Sequence, residues 1–134
     1  MTRSTLLVAL LAAYAAVFLP RALRSSGRAD FDPLQPRPRA VEELIVAKRF
    51  ADALPLAMEL RAAFPDESLV AYWLARINGG LQRPQAEADA WDAYVALSKA
   101  PAEACPHWPR ALSQANLQDR ARAAAVRCAA LLSR

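Results

Sequence analysis

The sequence predicts an all-α protein: an N-terminal transmembrane helix followed by a short antiparallel helical-hairpin domain. Three observations point there. Residues 5–19 hold no charge and are almost wholly apolar. The remainder is rich in Ala and Leu and poor in β-branched residues, a bias toward helix over sheet. Beyond residue 40, apolar residues recur at three- and four-residue spacings, in runs cut by Pro and Gly.

The expected division is a transmembrane anchor at 1–20, a proline-rich linker at 21–39 and a helical domain at 40–134. A span needs roughly 20 residues, which residues 2–20 approach. Arg3 and Arg21 can snorkel to opposite interfaces. Tyr14 and Phe18 lie near the second interface, where aromatic rings gather. Two alternatives stay open. One is a cleaved signal peptide, with Arg3 as its basic start and Ala13-Tyr14-Ala15 as a small-x-small cleavage site. The other is a buried core helix. Arg21, Arg24 and Arg28 follow the segment, and the positive-inside rule then places the body in the cytoplasm. The two cysteines pull toward an oxidising compartment. The expectation adopted is a single-pass cell-membrane protein with its helical domain on the extracytoplasmic side, the cytoplasmic face remaining open.

The linker stretch carries Ser25-Ser26-Gly27 and then Pro33, Pro36 and Pro38, with no periodic pattern, and reads as an extended tether. Helix is expected from near Ala40, with Val41, Leu44 and Ile45 as its apolar stripe and Glu42 and Glu43 at its positive end. A second helix covers Phe50 to Phe64 through Ala53, Leu56, Ala57 and Leu60, with Pro55 tolerated only in a first turn and otherwise a kink. Asp66 or Ser68 can cap a third, which carries Trp73, Leu74 and Ile77 and stops at Asn78-Gly79-Gly80. A fourth starts near Pro84 and ends near Ser98, burying Ala88, Trp91, Tyr94 and Val95 and leaving Glu87, Asp89 and Asp92 wet. In the final part from Trp108, Pro109 can begin a short helix with Ala111, Leu112 and Ala115, and Asn116 ends it or caps the last helix, which carries Ala121, Ala124, Cys128 and Leu131.

Hairpin-sized units in which each buries its neighbour's apolar face describe a helical repeat. Lys48-Arg49-Phe50-x-x-Ala53, followed by Ala57, Leu60 and Pro65, resembles the second half of a tetratricopeptide repeat. Leu74-Ala75, Asn78 and Ala88 resemble the next unit, whereas Pro84 and the Gly79-Gly80 turn depart from the usual register. The likeness covers roughly residues 41–98. It implies a scaffold that binds peptides or proteins and implies no catalytic residues.

Chemistry-bearing motifs are few. The only His, His107, follows Cys105 by two residues, but there is no Cys-x-x-Cys-His for haem attachment. A structural zinc site needs four ligands, and Cys105, His107 and Cys128 supply three. No cofactor and no metal are expected. Cys105 and Cys128 are the candidate disulfide, their alternative being two unrelated thiols, with Cys128 on an apolar helix face. No glycine-rich phosphate loop and no orienting carboxylate for a cysteine nucleophile are recognisable, so the expectation is a protein that is not an enzyme. The net charge of +4 is spread among Asp and Glu with no basic stripe, which gives no basis for nucleic-acid binding. Tyr72, Arg76 and Tyr94 are the candidate binding residues, an aromatic and cationic set of the kind found at interface hot spots. Their alternative role is inter-helix packing and solvation. The functional expectation is a membrane-tethered protein–protein interaction scaffold, with a protein partner in a membrane complex and the bilayer engaged through residues 2–20. The alternative is an accessory subunit of such a complex, held mainly by its transmembrane helix.

Overall fold

In the computed structural model, which describes residues 30–134, the first helix begins inside the stretch expected to be a linker. Helix α1 (Pro36–Val46) has Pro36 and Pro38 in its first turn. No intrahelical N–H is needed there, and proline's fixed φ is already helical. The prolines that read as an extended connector therefore open a helix, with Pro38 and Val41 buried beneath it.

Helix α2 (Phe50–Ala63) runs through Pro55, which forgoes one backbone hydrogen bond, and buries Ala53, Ala57 and Leu60 along one face. Helix α3 (Ser68–Gly80) is capped by neither Asp66 nor Ser68; the Glu67 side chain accepts from the Leu69 N–H at 3.5 Å. Val70, Ala71, Trp73, Leu74, Ala75, Ile77 and Asn78 are all buried, so α3 lies at the centre of the domain. It does not stop at Asn78-Gly79-Gly80 but includes them, and no glycine among the described residues has positive φ. A Cβ on Gly80 would overlap the Phe50 ring, so this glycine serves close approach and not a left-handed turn. Helix α4 (Pro84–Leu97), a 3₁₀ turn (Pro101–Ala104), helix α5 (Trp108–Gln114) and helix α6 (Gln118–Leu132) complete the described chain. The described residues contain six α-helices and no strand.

One turn closes α1, α3 and α5 alike. Lys48, Gln82 and Asn116, evenly spaced along the chain, have φ of 57°, 55° and 60°. Their N–H groups bond the carbonyls of Ile45, Gly79 and Ser113, and the next N–H in each case reaches Leu44, Asn78 or Leu112, at 2.8–3.2 Å. This is the two-bond left-handed cap that satisfies a helix's last carbonyls. The following helices start at Phe50, Pro84 and Gln118, at the same constant interval. The result is three helical hairpins, α1/α2, α3/α4 and α5/α6, in which each helix packs on the next and α1 also touches α3.

The third hairpin departs from the other two. Its connection from α4 spans Ser98 to His107, against Phe64 to Glu67 between α2 and α3, and α5 has only 7 residues. Cross-links hold it in place. Cys105 and Cys128 form a disulfide, with Cα atoms 5.6 Å apart, tying the 3₁₀ segment to α6. The Trp108 indole N–H donates to Asp92 Oδ1 at 2.8 Å, and Arg120 pairs with the other oxygen of Asp92. Asp92 is thus half-buried and bonded, not wet as its sequence position suggested.

Among the described residues, no helix is long and apolar enough to cross a membrane. The longest, α6, has 15 residues and carries Arg120, Arg122 and Arg127, short of the roughly 20 apolar residues a span requires. This corrects the membrane-anchored fold class, the single-pass localisation, the bilayer as a partner and the tethered or membrane-subunit functions expected above. The anchor assigned to 1–20 and its cleavage alternative lie outside the described residues.

Candidate binding cleft

α1 touches α3 directly, whereas α3 and α5 form the two walls of a gap. Between them opens a cleft of about 690 Å³. Its walls carry Arg76 on α3 and Arg110 on α5; its floor carries Glu87 and Trp91 from α4, with His107 at one end.

Arg76 and Arg110 occupy the same place in successive hairpins, and both are exposed. Arg76 Nη1 donates to the Tyr72 hydroxyl at 3.0 Å, and its guanidinium lies 5.9 Å from the Tyr72 ring centre. Arg110 Nη2 is 3.5 Å from His107 Nδ1. Neither guanidinium is ion-paired with a carboxylate among the described residues. His107 stacks flat on Trp91, with centroids 5.3 Å apart and planes at 8°. Burial, and then the charges of Arg110 and Arg76, push its pKa below the ordinary histidine value of 6.5.

Glu87 is the unexpected member. It is 7% exposed, although its sequence surroundings placed it in water. Its Oε1 accepts from the Trp91 indole N–H at 3.4 Å. Gly79 makes room for the carboxylate: a Cβ there would stand 3.1 Å from Oε1.

Of the residues predicted to bind, Tyr72, Arg76 and Tyr94 come together, but only Arg76 lines this cleft. Tyr72 packs against Trp91 and Tyr94, with ring centres 5.8 and 6.0 Å away. Tyr94 is buried; its hydroxyl donates to Glu103 Oε2 at 2.8 Å, and burial raises its pKa above 10.0. These two tyrosines instead line a second cavity of about 540 Å³ beside Glu67 and Glu103. Cys105 and Cys128 lie outside the cleft and brace its α5 wall. No cluster of three metal-ligating side chains occurs among the described residues.

Glu87, expected to stay wet, and His107, considered only beside Cys105, were not placed in a cleft because single-helix periodicity does not show register between hairpins. The constant hairpin period does: Glu87 is equivalent to Ala53 and Ala121, both buried, and His107 to the buried Trp73.

No protein-family model, curated protein or solved structure matches the chain. The tetratricopeptide resemblance therefore assigns it to no family, and the hairpin period remains a property of its backbone alone.

Proposed function

We propose that the helical domain is a non-catalytic binding module that holds an acidic peptide segment in the cleft between α3 and α5. The observation that carries this is the pair Arg76 and Arg110, repeated on facing walls and free of carboxylate partners among the described residues. A guanidinium presents a planar fork of donors that matches carboxylate geometry. The non-catalytic part of the reading is supported by the side chains at hand. Both cysteines are consumed in a disulfide, and the one imidazole is stacked on Trp91 with no hydroxyl or thiol bonded to it among the described residues.

The test is fluorescence anisotropy of the full chain with a labelled glutamate-rich hexapeptide at low and moderate salt. Binding is expected to weaken with salt and to fall at least about tenfold in the Arg76→Ala/Arg110→Ala variant, since charge-assisted hydrogen bonds are worth roughly 1.5–3 kcal/mol each. A lysine-rich peptide of equal length is expected to bind less. Unchanged affinity in the double variant would refute the proposal.

A further inference from the structure

The floor of the cleft has a chemistry its walls lack. Glu87 is more than nine-tenths buried, yet it lines the open space. Among the described residues its one side-chain hydrogen bond is the 3.4 Å contact from Trp91, and it forms no ion pair with Arg76, Arg110 or His107. Taking a carboxylate out of water without a cation is costly, and proteins place such groups where a partner completes them. Gly79, having no Cβ, lets the carboxylate pack closely against α3.

We propose that Glu87 is a cation subsite at the base of the cleft, receiving a lysine or arginine side chain of the bound segment while Arg76 and Arg110 hold carboxylates on either side. The partner is then charge-alternating, a basic residue flanked by acidic ones, and not uniformly acidic. This inference rests on the binding reading above and assigns its specificity. Glu87 is fixed for the task by α4, which also supplies Trp91 one turn later as both hydrogen-bond donor and apolar floor. The aliphatic stem of a lysine would lie beside the half-buried His107, with its ammonium on the carboxylate.

The experiment titrates the full chain calorimetrically with two probes, acetyl-Glu-Glu-Lys-Glu-Glu-amide and the same peptide with norleucine for lysine. Long-range attraction to the arginines alone favours the norleucine peptide, which is the more negative. A cation subsite reverses this order, the lysine peptide binding roughly tenfold tighter, as a buried charge-assisted hydrogen bond allows. In Glu87→Gln the order is expected to reverse, the more negative norleucine peptide binding the tighter; a lysine preference that survives in this variant overturns the subsite. Equal or weaker binding of the lysine peptide to the unaltered protein overturns the cation subsite and leaves the acidic-segment reading standing. Failure of both peptides to bind overturns that reading, and the subsite with it. The comparison on the unaltered protein stands even where Glu87→Gln impairs folding.

Discussion

Replacing Gly80 with alanine sets two opposing effects against each other. Gly80 is the last residue of α3, so alanine gains at most about 1 kcal/mol of helix propensity, and less at a helix end than in its interior. Against this, the new methyl would occupy space held by the Phe50 ring. The obstruction is the distal part of the Phe50 ring at the start of α2, at Cδ2, Cε2 and Cζ, so the ring must turn or the two helices must separate. Overpacking of this kind costs typically about 1–3 kcal/mol. The net expectation is a loss of about 1 kcal/mol, and for a domain of this size a melting temperature lower by roughly 4–8 °C. Gly79→Ala is the internal control: its methyl meets the Glu87 carboxylate at 3.1 Å, a contact a small shift relieves, and the expected change is much smaller. Urea denaturation of the full chain, followed by circular dichroism, measures both, and a double-mutant cycle with Phe50→Ala isolates the clash. Without the ring, Gly80→Ala should become neutral or stabilising. A Gly80→Ala protein as stable as the parent, or an equal loss in the Phe50→Ala background, would refute the close-approach role.

Reducing the Cys105–Cys128 disulfide, or replacing both with alanine, removes a cross-link over a sequence separation of 23 and should lower stability by about 3 kcal/mol on the chain-entropy estimate, read by denaturation with and without reductant; a loss under about 1 kcal/mol would show that Trp108–Asp92 and Arg120–Asp92 already fix the third hairpin. Acidification should also destabilise the fold through His107. Its folded pKa lies below the unfolded 6.5, so the unfolded chain binds the proton first, and stability present above about pH 6.5 is lost as pH falls below it. His107→Phe keeps a ring on Trp91 and should flatten the melting-temperature slope between pH 7 and pH 5.5; an unchanged slope would assign the effect to other groups.

The composition and the three- and four-residue spacings were enough to predict helices at Phe50, Pro84 and Trp108, because apolar periodicity and proline position act within one helix. The candidate disulfide was likewise legible as a pair of cysteines, although only the return of α6 beside the 3₁₀ segment brings their Cα atoms to 5.6 Å. Local signals misled where a neighbour decided the outcome. Asn78-Gly79-Gly80 reads as a helix stop, yet α3 continues through it, and Gly80 serves the close approach of the Phe50 ring. Pro36 and Pro38 read as tether because proline breaks helices in mid-course, whereas at a helix start it is favoured. Membrane anchoring was inferred from the hydropathy of one segment, and no described helix provides such a span. The cleft is not legible in any single helix, although the hairpin period marks Glu87 as equivalent to buried positions. Arg76 and Arg110 line one cleft with the buried Glu87 because hairpins of constant repeat length bring equivalent positions together. Burial of Glu87 depends on which helix lies across it, a property of packing between hairpins that no single helix encodes.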